Sequence, residues 1–144
     1  MADLQTQMAS RYVARDFYVY GTVHSAVNPS TSNTQSILIS ADSDFQLEKL
    51  TFFADIAAAE QQQATLEIPL CTVMITDTGS GRQLMSVAIP VTSLFGTGEI
   101  PFVLKQPKIF VARSTVSIAV TNFSAANTYN VRLSFIGSKL FLKQ

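Results

Sequence analysis

Few residues of this 144-residue chain have side chains suited to acid-base, nucleophilic or metal chemistry, and their spacing decides between those roles and structural ones. His24 is the sole histidine, at the end of an aromatic, β-branched run. A Ser-His-Asp triad would have to be assembled in space, and no nucleophile-elbow sequence supplies its serine, so His24 reads as structural or exposed. Cys71 is the only cysteine, which rules out an internal disulfide, and no Cys/His group has zinc-ligand spacing. Asp42, Asp44 and Asp55 could gather oxygen ligands for calcium, but they lack the dense acidic spacing of an EF-hand. A strand-ending turn whose Asp side chains bond local backbone amides fits them better. The sharpest catalytic candidate is Asp77-Thr78-Gly79-Ser80, because two aspartates brought close in such turns share one proton. Gly79 and Gly81, like Gly96 and Gly98, lead into no helix and form no phosphate loop. No cofactor, no metal and no enzymatic activity are expected.

Composition narrows the partner classes. A chain of this length suits one domain that buries its own core without metals or disulfides. Hydrophobic residues make up 47% and charged residues 14%, the latter well below the average soluble protein. Ser, Thr, Asn and Gln outnumber the charged residues by about two to one and must cover the surface, as they do on strand faces and in loops. Low surface charge weakens self-repulsion and favours association. Ten Lys plus Arg balance ten Asp plus Glu, with no block of like charge. Nucleic acid, which needs clustered cations, is therefore not an expected partner. No stretch has the apolar core of a signal peptide or the roughly 18 apolar residues of a membrane span, so the chain is expected to be soluble and made without export, with no membrane partner.

These side chains must be positioned by strands. Residues 1–16 are polar with loosely helical apolar spacing and read as an N-terminal arm; residues 17–144 read as a single β-sandwich domain. Strands are expected at 17–23, with Gly21 a bulge candidate, at 35–41, and at 45–53, where a change of parity calls for a bulge near Lys49. A Pro/Ser/Thr/Asn-rich loop spans 25–35. Residues 57–63 have helix propensity for about two turns. An apolar run at 66–76 contains Pro69, which belongs at an edge or a bulge, and Asp77 to Gly81 then makes a hairpin turn into a strand at 84–91 with Pro90 at an edge. Short apolar pieces follow at 100–104 and 108–112, separated by Gln106-Pro107. The clearest signal is residues 114–141: Val116, Ile118 and Val120 alternate with small polar residues, as do Tyr129, Val131, Leu133 and Phe135, which predicts an antiparallel hairpin with one buried face. About eight short strands with regularly spaced turns predict an all-β antiparallel fold, a sandwich or jelly roll and not a helical or parallel α/β one.

Two resemblances bear on function. Asp77-Thr78-Gly79-Ser80 resembles the active-site turn of aspartic proteases, and Phe135-Ile136-Gly137 resembles a later element of the retroviral type. Thr76 stands where that family has an apolar residue, and only residues 138–144 follow Gly137, so a protease using Asp77 is a remote alternative. The broader resemblance covers residues 37–141: Asp42-Ser43-Asp44-Phe45 leading into KLTFFAD, the ITDTGSGRQLM hairpin, and LFGTGEIPFVLKQPKIFVARSTVSIAVTN followed by YNVRLSFIGSKLF. In that order these segments resemble tailed-bacteriophage capsid decoration, or cement, proteins. The resemblance implies a jelly-roll virion protein on the outer capsid surface, made in the host cytoplasm, that binds the major capsid protein and ties neighbouring subunits together. Homo-oligomers, dimers or trimers, suit such a lattice. Segments that order on a partner are the contact candidates: Arg11, Tyr12, Arg15 and Phe17 in the arm, and Val27, Asn28 and Pro29 in the following loop. The alternative is a tail-associated carbohydrate-binding jelly roll, which would show exposed aromatics beside acidic or amide side chains; the absence of Trp counts against it.

Overall fold

Alternating apolar and polar residues give each strand one face to bury, and two such sheets solve the problem by stacking face to face. The computed structural model describes residues 12–56 and 68–142. The strands are β1 (Tyr12–Val27), β2 (Ser32–Leu38), β3 (Asp44–Ile56), β4 (Cys71–Asp77), β5 (Arg82–Gln83), β6 (Ile89–Pro90), β7 (Phe102–Phe110), β8 (Thr115–Asn122) and β9 (Tyr129–Leu142), with one helical turn at Val91–Leu94. One sheet, here sheet A, has the order β1-β9-β3-β7; the other, sheet B, has β2-β8-β4-β5, with β6 also on β4. All strand pairings are antiparallel. Apart from the β4–β5–β6 edge, each connection crosses from one sheet to the other, which is the winding of a jelly roll.

The two sheets meet in a core to which β3, β4, β8 and β9 contribute every second residue. Leu47, Leu50 and Ala54 face Val73, Ile75, Val116, Ile118 and Val120, with Val131, Leu133 and Phe135 beside them. Each such side chain contributes about 1.5–3 kcal/mol when fully buried. Edge-to-face rings add shape: Tyr20 against Phe45 at 4.8 Å and Phe95 against Phe135 at 5.8 Å. In β3 the pairing shifts between Leu47 and Lys49 against both neighbours, so the bulge expected near Lys49 is present and lets Phe45 and Leu47, then Leu50, all point inward. At that row β9 passes so close to β3 that a Cβ on Gly137 would collide with the Gln46 carbonyl oxygen, and only glycine fits.

Several local expectations change. β8 and β9 are not a hairpin: β8 lies between β2 and β4, and β9 between β1 and β3. Period-two alternation reports which side of a strand is buried, and both strands bury theirs in the same core from opposite layers. Residues 123–128 cross between the sheets, shaped by Asn122, whose Nδ2 donates to the carbonyls of Val27 (2.8 Å) and Asn127 (2.7 Å), while its Oδ1 accepts from Ser124 N–H. β1 begins at Tyr12, so residues 12–16 of the expected arm are strand, and it runs on to Val27, which shortens the expected loop to the turn at 28–31. Gly21 pairs in register with Ser134, and the shifts in β1 fall at Tyr12/Ala14 and His24/Val27 instead. Pro69 precedes β4. Pro90 lies in an edge segment as expected, and β7 runs through Pro107 on the free edge of sheet A, where no ladder donor is missed. The helix expected at 57–63 lies outside the described residues.

Polar side chains close the gap between the β1 and β2 edges. His24 is fully buried, with Nδ1 3.0 Å from Asn33 Oδ1 and Nε2 3.0 Å from Thr22 Oγ1. Tyr20 Oη bonds Ser40 Oγ at 3.2 Å and accepts from Ser40 N–H at 3.0 Å.

Candidate functional site

The residues that chemistry singled out are mostly structural. Burial lowers the His24 imidazole pKa from 6.5, against a smaller opposing contribution from its hydrogen bonds to Asn33. Burial likewise pushes the Cys71 thiol up to about 11, which leaves it an inert core residue. Asp77 is anchored by its own turn: Oδ1 accepts from Gly79 N–H at 3.1 Å and Oδ2 from Ser80 Oγ at 3.1 Å. The hollow beside it is lined by Gly79, Ser80 and residues 111–114, and no second carboxylate is among them. Asp44 Oδ1 accepts from Ala112 N–H at 2.8 Å, and Asp42 lies 3.7 Å from Lys139 Nζ. Asp55 sits near the other end of β3, roughly 35 Å along an extended strand, so the three candidate calcium ligands are not brought together.

The contact candidates are also split. Arg11 lies outside the described residues. Tyr12 opens β1, paired with Leu142. Arg15 is exposed and its Nη1 reaches Gln46 Oε1 across sheet A at 3.4 Å; Phe17 is 77% exposed. Val27 is 1% exposed and therefore a core side chain, turned inward by the register shift after His24, and it offers no surface to a partner. Asn28 is exposed, accepting from Thr31 and Thr128, and Pro29 is half-buried in the turn. Arg15 and Phe17 stand at one end of β1 and Asn28 and Pro29 beyond the other, so they form two patches.

What joins the first patch to the rest is the outer face of sheet A, which the sequence reading did not single out. Residues opposite one another across its strands form rows: Phe17–Ser138–Gln46–Ile109, then Val19–Ile136–Lys49–Val103, Gly21–Ser134–Thr51, and Val23–Arg132–Phe53. Val19 is 40%, Val23 51% and Val103 59% exposed. The first two rows carry Phe17, Val19, Ile136, Ile109 and Val103, an apolar band interrupted by Ser138, Gln46 and the exposed Lys49. The Gly21 row is a trough of small side chains. Beyond it Val23, Ser25, Phe53, Asp55, Asn130 and Arg132 line a cavity of about 290 Å³. The signal for this face was present in FYVYGTV, where both parities are apolar: an edge strand with only one buried face then has to show the other set to solvent.

No protein-family model matches the chain, and no curated protein matches it in sequence. Among solved structures, the crystal structure of an infectious bursal disease virus VP2 subviral particle is similar at 10% identity and a TM-score of 0.34, over 87% of this chain and 33% of that one. The structure of the Gt strain of the same virus is similar at 12% identity and a TM-score of 0.29, over 92% of this chain and 42% of the other. The chain thus spans about a third of the length of the first and about two fifths of the second, and at these scores neither likeness bears on function. The class is defined by the strand order itself: an all-β antiparallel jelly roll.

Proposed function

We propose that the chain is a structural virion protein that binds the outer surface of an icosahedral phage capsid and cements neighbouring major capsid protein subunits. The observation that carries this reading is the exposed apolar band on sheet A. It starts on β1, an edge strand of sheet A among the described residues, with Phe17 at 77% exposure and Val19 at 40%, passes to Ile136 and resumes beyond Lys49 at Val103. Large apolar side chains in neighbouring rows mark a surface that a protein partner covers. The segments that resemble phage decoration proteins supply this framework: KLTFFAD is the second half of β3, and YNVRLSFIGSKLF is β9. Contacts of modest strength add up over a symmetric lattice, so a dimer or trimer of this chain need not bind any one subunit tightly.

The test is copy number in purified virions, measured against the major capsid protein by quantitative mass spectrometry. A simple lattice fraction is expected. A handful of copies per particle, or none, overturns the cement reading. Shells depleted of the chain should rebind the wild type, and rebind the Phe17→Asp/Val19→Asp variant at least about tenfold more weakly.

A further inference from the structure

The cavity at the Val23 end of sheet A has a different chemistry from the apolar band. Two neighbouring rows build it: Val23–Arg132–Phe53, and the pair Asn130–Asp55 with Ser25 at the β1 side. Four of its six residues sit on β9 and β3, paired directly as Arg132 with Phe53 and Asn130 with Asp55, so the register of the two strands holds them together. Phe53 is 39% exposed and Val23 51%, which gives the cavity an aromatic and an aliphatic wall.

Its polar groups are arranged for a ligand and not for one another. Asp55 Oδ1 is buried and has no hydrogen-bond partner. Buried polar atoms are nearly always paired, so an orphan carboxylate oxygen on a residue that lines a cavity marks a place where a donor is missing. Among the described residues, the only ion pair joins Lys139 and Asp42, so the Arg132 guanidinium is not spent on the carboxylate beside it. Asn130 is oriented by the chain: its Oδ1 accepts from Ala26 N–H at 2.8 Å, in the left-handed turn that Ala26 makes at φ 51°. The Nδ2 group of Asn130 is left as a donor. The lining therefore combines one strong acceptor, donors from Arg132, Asn130 and Ser25, and two apolar walls.

Charge excludes the simpler ligands. A cation drawn to Asp55 meets the Arg132 guanidinium, and an anion drawn to Arg132 meets the Asp55 carboxylate. A neutral group that donates on one side, accepts on the other and has an apolar face satisfies all of these groups together. Adjacent hydroxyls on a pyranose do this, each both donor and acceptor, and the C–H face of the ring lies on an aromatic side chain. At about 290 Å³ the cavity is at the lower end of ligand sites (roughly 300–1,000 Å³), the size for one ring and not a long chain. We propose that this cavity binds a single neutral hexose unit of a glycan, with Asp55 accepting from ligand hydroxyls, Arg132 and Asn130 donating to them, and Phe53 as the platform.

The test needs only the isolated protein, so it stands whether or not the chain binds capsids. The ¹⁵N-labelled chain is titrated with the methyl glycosides of glucose, galactose, mannose and N-acetylglucosamine while backbone amide shifts are followed. At least one sugar should give saturable shifts confined to Val23, Phe53, Asp55, Asn130 and Arg132. Asp55→Asn, which keeps the shape of the side chain, should weaken that sugar about tenfold or more, and Phe53→Ala similarly. Ser25→Trp, which fills the cavity from an exposed position, should abolish binding even if Phe53→Ala folds poorly. The proposal is overturned if no sugar gives saturable shifts, or if the shifts survive unchanged in Asp55→Asn and Ser25→Trp. Butylammonium, a mimic of a lysine side chain, saturating the site where the sugars fail would also overturn it, and would assign the cavity to a protein partner.

Discussion

The two outer faces of the sandwich have the same architecture and opposite chemistry. On sheet B the outward positions are Ser32, Thr34, Ser36 and the exposed Leu38 of β2, Thr115, Ser117, Ala119 and Thr121 of β8, and Thr72, Met74 and Thr76 of β4. Most of these are small hydroxyl side chains, and some satisfy one another directly, as Ser32 Oγ and Thr121 Oγ1 do at 2.6 Å. On sheet A the same kind of position carries Phe17, Val19, Val23, Lys49, Phe53, Asp55, Arg132 and Ile136, alongside the smaller or polar Gly21, Gln46, Thr51, Ser134 and Ser138. Both faces belong to sheets whose inner sides are equally apolar, so stability does not demand the difference. A hydroxyl-covered face satisfies much of itself when the chain folds; the sheet A face keeps exposed rings and charged side chains at its surface.

Breaking sheet A itself should have the largest effect. Gly137→Val forces β9 off β3 at the bulge, and loss of about 3 kcal/mol or more is expected, read as collapse of the folded yield or of the denaturant midpoint. Ala119→Val at an outward position of β8 should stay within about 0.5 kcal/mol, and an equal loss there would remove the contrast. The seam between the sheets gives a smaller effect. His24 is neutral in the folded chain below its ordinary pKa of 6.5, where the unfolded chain takes up a proton. The unfolded state then binds more protons, so stability should fall as pH drops below 6.5 and level off once the folded-state pKa is passed. His24→Gln should flatten that slope at a cost of about 1 kcal/mol from the altered hydrogen bonds, measured by urea midpoints across the pH series. The smallest effect is on the faces themselves: Phe17→Ser with Val19→Thr, which makes sheet A resemble sheet B, should leave the melting temperature within a few degrees. It should also reduce concentration-dependent self-association in sedimentation, and unchanged association would separate the apolar band from oligomer contacts.

Much of the fold was legible because burial writes a period of two into the sequence. Val116, Ile118 and Val120, and Val131, Leu133 and Phe135, were assigned to the core on that pattern and are there. The parity change at Lys49 disclosed the bulge for the same reason. Strand partners were not legible: β8 and β9 carry matching patterns and lie in different sheets, because alternation records depth and not neighbours. Nor could the pattern show that Val27 turns inward, since that depends on the irregularity after His24. The cavity was least visible. Its residues come from β1, β3 and β9, and only register brings Val23, Arg132 and Phe53 into one row. Sequence chemistry pointed to Asp77, His24 and Asp44 instead, whose polar atoms hold turns and seams together.

The irregularity at Glu48 has a further consequence. Phe45 and Leu47, at odd positions, point inward; past the extra residue the inward positions are even, at Leu50 and Ala54. Had β3 continued in its first frame, Phe53 and Asp55 would point into the core, where a carboxylate could not stay. One supernumerary residue thus divides the strand into a half that serves the interior and a half free to display Phe53 and Asp55. Insertions or deletions between Glu48 and Asp55 can change the strand by two residues at a time but not by one, because a single step would exchange the inside of the molecule for its outside.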